Sequence, residues 1–141
     1  MTQAMSRLMR VYARAVYRAF DAGAVIEFSI GRPSLALEAL LARTGATTAM
    51  FITAYNSMSV PRPDPVNRAA DRALRRALRL GGWACLAGEG ADPAGRWRPE
   101  PSFLVLNIGA AAARTLARRF GQAAIVAIRR GNPPRLVRTS K

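Results

Sequence analysis

Short apolar runs with strand character alternate along this chain with segments whose apolar residues recur at helical spacing. The run 25–30 alternates apolar and polar residues, which predicts a half-buried strand. The run 47–54 is almost continuously apolar and β-branched, which predicts a strand covered on both faces. The segment 66–80 repeats its apolar residues three and four positions apart, which is typical of an amphipathic helix. The alternation predicts helices packed over one sheet.

Glycine and proline separate these segments and set the predicted element order. The predicted helices cover 5–16, 34–44, 66–80 and 109–120. The predicted strands cover 17–20, 25–30, 47–54, 83–87, 102–108, 123–128 and a short edge strand at 135–138. Loops are expected over 57–65, which is rich in proline, and over 88–101, which is rich in glycine.

We therefore expect an α/β fold of the mixed α+β kind, a single domain (1–141) with one central mixed parallel and antiparallel sheet covered by helices. Its parts are an N-terminal helix and hairpin over 5–30, a main sheet and helix unit over 31–130, and a short C-terminal tail over 131–141.

Strand directions follow from the connections. A helix between two strands of one sheet normally makes those strands parallel, so the strands 25–30, 47–54 and 83–87 should run the same way. The loop 88–101 contains no predicted helix, so the strands 102–108 and 123–128 should run the opposite way. The carboxyl ends of the first three strands should then share one edge of the sheet with the amino ends of the last two.

Polar and aromatic residues gather at this shared edge, and we expect the binding site there. The predicted ligand-binding residues are Tyr55, Asn56, Ser59, Asn67, Trp97, Glu100, Ser102 and Gln122. Arg32, Ser34, Ser57 and Glu89 are predicted to lie on the same edge. Helices starting at 34 and 66 would present free backbone N–H groups to it, which favours an anionic or nucleotide-like ligand, or an acidic partner.

Each of these residues also has a purely structural interpretation. Asn56 is a ligand contact or part of the turn that ends a strand, and Asn67 is a good candidate for a helix N-cap. Glu100 is the one weak candidate for a catalytic residue, as a general base, and the alternative is an ion pair with a nearby arginine. Gln122 reaches the site or satisfies backbone groups in its turn. Trp97 stacks on a planar ligand or packs on the core.

The net charge of +14 favours polyanionic partners, and nucleic acid is a second candidate ligand. The basic residues are arginine except for Lys141, a bias that a GC-rich genome also produces. Arg68, Arg72, Arg75 and Arg79 form one stripe on the helix 66–80, and Arg114 and Arg118 form a shorter one. The alternative is a solvated helix face in which Asp71 pairs with Arg75.

The chain contains no histidine and a single cysteine, Cys85, which excludes a Ser-His-Asp triad, a His-ligated metal and an internal disulfide. We expect no cofactor and no metal. Arginines recur through the first 20 residues, which favours a first helix over a signal peptide, with a transit peptide as the alternative. No segment reaches the ~20 apolar residues that span a bilayer, so we expect a cytoplasmic protein without a membrane partner. The oligomeric state stays open.

Several segments together resemble one known pattern. They are Phe51-Ile-Thr-Ala-Tyr-Asn56, Asn67 opening an arginine-rich helix, Gly90 through Trp97, Glu100-Pro-Ser-Phe-Leu-Val105, and Leu116-Ala-Arg-Arg-Phe-Gly-Gln-Ala-Ala-Ile-Val126. In combination they resemble the bacterial domain-of-unknown-function family 3293, over roughly 10–137. The family often has tryptophan, proline and glutamate where this chain has Tyr55, Ser57 and Pro101. The resemblance implies the fold and the place of the site, and no activity.

Overall fold

The structure is a computed structural model that describes residues 3–140. The helices are α1 (Gln3–Arg14), α2 (Leu35–Thr44), α3 (Asp64–Leu80) and α4 (Ala110–Arg119). The strands are β1 (Val16–Asp21), β2 (Ala24–Ser29), β3 (Thr48–Thr53), β4 (Cys85–Ala91), β5 (Glu100–Leu106), β6 (Ala124–Arg129) and β7 (Arg135–Arg138). A short irregular turn, Ser57–Ser59, lies between β3 and α3.

The helix ends follow local chemistry. The hydroxyl of Ser34 accepts a hydrogen bond from the backbone N–H of Leu37 (3.2 Å), which caps the start of α2. Gly45 ends α2 with a left-handed backbone (φ 72°), a conformation in which glycine has no steric cost. α3 begins at Asp64, two residues before its predicted start, because a proline near the first turn of a helix is well tolerated.

The strand order in the sheet is β2-β1-β4-β5-β3-β6-β7, and every neighbouring pair is antiparallel. The prediction of a mixed parallel and antiparallel sheet is therefore wrong. β2, β3 and β4 do run in one direction and β5 and β6 in the other, as expected from the connections. However, β5 lies between β4 and β3, and β3 lies between β5 and β6, so no two strands of the same direction are neighbours.

The predicted glycine-rich loop is shorter than expected, because β4 continues through Ala91. Gly88 lies inside this strand, where a Cβ atom would stand 2.2 Å from the carbonyl oxygen of Arg18 on β1. Glycine is present there because two backbones approach closely. At the other end of the chain, β7 pairs with β6, so part of the predicted tail 131–141 belongs to the sheet. Lys141 lies outside the described residues.

Helices cover both faces of the sheet. Leu37, Leu40 and Leu41 of α2 pack on one face, and α3 and α4 pack on the other. The backbone N–H beyond β2, at Gly31, donates to the carbonyl of Pro134 before β7 (2.8 Å). Since β2 and β7 are the two edge strands, this bond shows that the sheet curls around α2.

α1 lies at one end of the curled sheet and has no fully buried residue. It contacts β7, and the hydroxyl of Tyr17 on β1 donates to the carbonyl oxygen of Tyr12 at the end of α1. The end of the sheet beside α1 holds the carboxyl ends of β3 and β4 and the amino ends of β5 and β6, the edge at which the binding site was predicted.

Candidate functional site

A cleft of about 610 Å³ opens at this edge of the sheet. Six of the eight residues predicted to bind a ligand line it: Tyr55, Asn56, Ser59, Asn67, Trp97 and Glu100. The rest of the cleft wall is formed by Leu8, Val11, Tyr12, Pro61, Arg62, Asp64, Arg68 and the segment Arg98–Pro101. The structure thus brings most of the predicted residues together, and their role in binding stays a prediction.

Asn56 and Asn67 form a reciprocal pair that shapes the cleft floor. The backbone N–H of Asn56 donates to Oδ1 of Asn67 (2.8 Å), and Nδ2 of Asn67 donates to Oδ1 of Asn56 (2.9 Å). The same Asn67 amide also donates to the carbonyl of Arg62 (3.2 Å). Asn67 is 4% exposed and lies within the first turns of α3, after its start at Asp64. The N-cap interpretation of Asn67 is therefore wrong, because its amide ties the turn after β3 to α3 instead.

Glu100, the first residue of β5, has its carboxyl group inside the cleft. Its Oε2 accepts a hydrogen bond from Nδ2 of Asn56 (2.7 Å), and no arginine among residues 3–140 forms an ion pair with it. The neighbouring arginines are engaged elsewhere, since Arg96 pairs with Asp92 and Arg98 with Asp64. Burial raises the pKa of Glu100, against a smaller lowering by the Asn56 hydrogen bond.

Tyr12 on α1 and Tyr17 on β1 lie near Glu100, and the sequence pattern did not identify either of them as a site residue. Burial, followed by the Glu100 carboxylate, raises the pKa of Tyr12, against a hydrogen bond with Ser59 that lowers it. Burial, with contributions from Tyr12 and Glu100, also raises the pKa of Tyr17. For Tyr12 the available signal was the predicted helix 5–16, which does not show what the helix packs against.

Ser102 and Gln122 lie behind the cleft rather than in it. Both line a small cavity of about 40 Å³, which shares Tyr12, Trp97 and Glu100 with the cleft. Ser102 donates to the carbonyl of Glu100 (2.9 Å). Nε2 of Gln122 donates to the carbonyl of Tyr55 (2.9 Å), so Gln122 satisfies backbone groups and supports the wall.

The turn after β3 holds an unusual backbone. Asn56, Met58 and Ser59 have φ values of 51°, 64° and 60°, the left-handed region that non-glycine residues rarely adopt. Gly121 keeps the turn in place, because Met58 donates its N–H to the carbonyl of Gly121 (2.8 Å). Strain concentrated in one segment next to a cleft is typical of a functional site.

Other residues predicted on this edge lie outside the cleft. Ser34 caps α2, and Glu89 accepts a hydrogen bond from Nη1 of Arg18 (2.9 Å). Arg32 and Ser57 are not among the residues that line the cleft. Trp97 packs partly on the core while lining the cleft, so the structure shows the packing interpretation, and stacking on a ligand stays a prediction.

The stripe Arg68, Arg72, Arg75 and Arg79 is exposed along α3. The guanidinium of Arg75 lies over the ring of Phe103 (5.5 Å to the centroid). Asp71 makes no ion pair within the described part of the chain, so the expected pair with Arg75 is wrong, and its Oδ1 is buried without a hydrogen bond. Burial raises the pKa of Asp71, while Arg75 and Arg72 lower it.

Residues 3–140 hold no group of three or more histidine, cysteine, aspartate or glutamate side chains that could bind a metal ion. The free thiol of Cys85 is half-buried, and burial raises its pKa. No helix in the described part is both long and apolar enough to cross a membrane.

A family model described as "Protein of unknown function (DUF3293)" matches residues 52–125, which is 74 of the 141 residues. The chain belongs to this family. The match runs from β3 into β6 and includes all eight residues predicted to bind a ligand, while α1 and β7 lie outside it. In comparisons with curated proteins and with solved structures, nothing matched the chain.

Proposed function

We propose that this member of DUF3293 binds a nucleotide-like ligand in the cleft, with a planar base against Glu100 and phosphate at the arginine-bearing rim. The observation that carries the proposal is the Glu100 carboxyl group, which lies inside the cleft without an ion pair among the described residues. A partly buried carboxylate without a cationic partner has a desolvation cost, and a ligand that donates hydrogen bonds to it offsets that cost.

The free oxygen of Glu100 defines the ligand chemistry. Oε2 is held by Asn56, and no described residue donates a hydrogen bond to Oε1. A nucleobase that carries an amino group or a ring N–H can donate to such an oxygen, as cytosine does to carboxylates in nucleic-acid complexes. Tyr12, Tyr55 and Trp97 provide aromatic surfaces in the same cleft, on which a planar base can stack.

The rim of the cleft suits the phosphate group. Arg62, Arg68 and Arg98 line it, and guanidinium groups bind phosphate oxygens in pairs. Arg62 is held by the carbonyl of Ser57 through Nε (3.0 Å) and Nη2 (2.8 Å), which orients it. Arg68 is exposed and forms no ion pair with the described residues, so it is free to bind phosphate.

A thermal-unfolding titration with nucleosides, nucleotides and ribose 5-phosphate tests this proposal. A nucleotide at a concentration of ~100 Kd should stabilise the native protein by about 2.7 kcal/mol and raise Tm accordingly. Glu100→Gln should lose that shift, because an amide accepts fewer hydrogen bonds and carries no charge. Glu89→Gln, which removes a carboxylate outside the cleft, should keep it. The proposal is wrong if no compound raises Tm of the native protein, or if the rise in Tm is unchanged in Glu100→Gln.

The same carboxyl group supports a second candidate, an enzyme in which Glu100 is the general base. The observation that favours it is that burial raises the pKa of Glu100 while the Tyr12 hydroxyl stands nearby. To distinguish an enzyme from a binding protein, the native protein is incubated with the ligand that raises Tm, and the ligand is then analysed by chromatography. Turnover that Glu100→Gln lowers by about 10²-fold or more identifies an enzyme, and an unchanged ligand identifies a binding protein.

A further inference from the structure

A second cleft, distinct from the first, lies between α4 and β7, and we propose that it binds a chain of phosphate groups. Its volume is about 810 Å³. Four arginines line it, Arg114 and Arg118 from α4 and Arg135 and Arg138 from β7. This proposal is independent of the function assigned to the first cleft.

The charge in this cleft is uncompensated. All four arginines are exposed, and none of them forms an ion pair within residues 3–140. No aspartate or glutamate is among the described residues that line the cleft. Like charges in a concave surface reinforce one another, because the low-dielectric walls focus the field.

The spacing of the arginines fits several phosphates rather than one. Arg114 and Arg118 are one helical turn apart, which separates them by about 6 Å along α4. Arg135 and Arg138 are three residues apart, which separates them by about 10 Å along β7. Because β7 is an edge strand, side chains from both of its faces reach the cleft. One guanidinium is pre-oriented, since Nη1 of Arg118 donates to the carbonyl of Thr139 (2.8 Å).

The remaining lining residues point to recognition of the backbone. Thr115 and Ser140 are exposed at the cleft, and the Thr115 hydroxyl donates to the carbonyl of Ala111 (3.0 Å). Thr139 is 4% exposed and its hydroxyl donates to the carbonyl of Gln122 (2.6 Å), so it supports the wall. No aromatic side chain is among the described residues that line the cleft. Hydroxyl and guanidinium groups bind phosphate oxygens, whereas base stacking needs an aromatic surface. The ligand is therefore recognised through its phosphates without reading bases, as in a nucleic-acid backbone or an inorganic polyphosphate.

The α3 stripe competes with this cleft as the phosphate-binding surface, and it is the weaker candidate. Its arginines lie on a convex helix face. Asp71 lies among them, and the guanidinium of Arg75 already packs over the ring of Phe103. The α4–β7 cleft instead presents four arginines to one concave space with no described carboxylate.

The experiment measures the binding of a short fluorescein-labelled oligothymidylate by anisotropy over a range of salt concentrations. Arg114→Glu/Arg135→Glu alters the cleft and spares Arg118, which has a structural hydrogen bond. Arg72→Glu/Arg79→Glu on α3 changes the net charge equally and serves as the matched control. The cleft variant should bind about tenfold or more weakly, and its salt slope should fall by about 1.4, the value for two lost contacts on a single strand. The control should change little.

Competition by tripolyphosphate and its direct binding distinguish a nucleic-acid ligand from a polyphosphate. Sodium tripolyphosphate should displace the oligonucleotide, whereas sodium sulfate at the same ionic strength should not. Direct binding of tripolyphosphate without oligonucleotide binding assigns the cleft to polyphosphate. Arg114→Gln/Arg135→Gln repeats the test if circular dichroism shows that the glutamate variant is unfolded. The proposal is overturned if the native protein binds neither probe at low salt, or if the cleft and control variants lose affinity equally.

Discussion

Glu100 is a partly buried carboxyl group in a chain whose net charge is +14, yet no described arginine pairs with it. The arginines nearest in sequence, Arg96 and Arg98, pair with Asp92 and Asp64. Asn56 is the one described residue that donates to its carboxylate. A carboxylate without a cationic partner in so basic a chain is a candidate ligand contact, which is why the proposed function centres on it.

Glu100→Gln should change how stability depends on pH. Burial raises the pKa of Glu100 in the folded protein above its value in the unfolded chain, so the folded state holds the proton to higher pH. Stability from this group is therefore present below the unfolded pKa and declines as pH rises through the folded pKa. In urea unfolding, Glu100→Gln should remove this decline and be the more stable protein at neutral pH. A native-minus-variant difference that does not change with pH would contradict the assignment, and Glu89→Gln is the control.

Asn56→Ala should lower the free energy of unfolding by about 2–4 kcal/mol, because three buried or partly buried groups lose a hydrogen-bond partner together. The Oδ1 atom of Asn56 accepts from the backbone N–H of Arg62 (3.1 Å) and from Asn67, and Nδ2 donates to Glu100. Denaturant unfolding measures the loss. Asn132→Ala, at an exposed turn, should cost no more than ~0.5 kcal/mol. A similarly small loss in Asn56→Ala would show that this network contributes little.

The site residues that the sequence predicted are those whose local pattern places them at strand ends. Asn56 follows β3 and Glu100 opens β5, so knowledge of strand direction was enough to bring them to one edge. Tyr12 could not be found in this way, because it lies on α1 and reaches the cleft only through tertiary packing. The hydrogen bonds of Asn67 were missed for the same reason, since its nearest sequence signal was the start of a helix.

At the scale of elements, the sequence predicted the strands and their directions but not their order in the sheet. Connections through helices fixed the relative directions of β2, β3 and β4. Whether the returning strand β5 adds to the outside of the sheet or inserts between β4 and β3 depends on long-range packing. Insertion made the whole sheet antiparallel. The predicted loop 88–101 was too long because its first glycines were assigned to the loop, whereas β4 continues through Ala91 and Gly88 accommodates the close backbone of β1.

The turn after β3 depends on a residue of a different element, Gly121 at the end of α4. A Cβ atom on Gly121 would lie 2.2 Å from Oγ of Ser57 and 2.8 Å from the backbone N of Met58, and the residue has φ +68°. Gly121→Ala should therefore cost both backbone strain, about 1–3 kcal/mol, and displacement of the turn.

Gly95→Ala separates these two contributions. Gly95 has almost the same backbone angle (φ +70°), but nothing lies within 4 Å of its Cβ position. Its substitution should cost only the strain, so Gly121→Ala should be the more destabilised of the two variants in denaturant unfolding. Equal losses would show that the turn moves aside at no cost.

At the scale of the whole molecule, the sheet curls so that its two edge strands approach each other, and most arginines are exposed on the surface. The carboxylate of Glu38 on α2 accepts a hydrogen bond from the N–H of Gly131 in the β6–β7 turn (2.9 Å), beside the bond between Gly31 and Pro134. α1 separates the two clefts, with Tyr12 lining one and Met9 the other. One small domain therefore has two chemically different clefts, one with a partly buried carboxylate and one with guanidinium groups that form no ion pair within residues 3–140.

The excess of positive charge also governs how stability responds to salt. Ion pairs within 4.0 Å engage only four arginines among the described residues: Arg18, Arg43, Arg96 and Arg98. Self-repulsion among the unpaired cations destabilises the compact state at low ionic strength, and salt screens it. Stability should therefore rise with sodium chloride, whereas a protein held by its ion pairs would lose stability.

A Tm series at increasing sodium chloride checks this expectation. From low to physiological ionic strength Tm should rise by about 3–5 °C, the shift that ~1 kcal/mol produces in a domain of this size. Arg72→Glu/Arg79→Glu, which lowers the net charge at exposed positions, should raise Tm at low salt and flatten the series. If Tm instead falls with salt in the native protein, the few ion pairs outweigh the repulsion among the unpaired arginines, and the expectation is wrong.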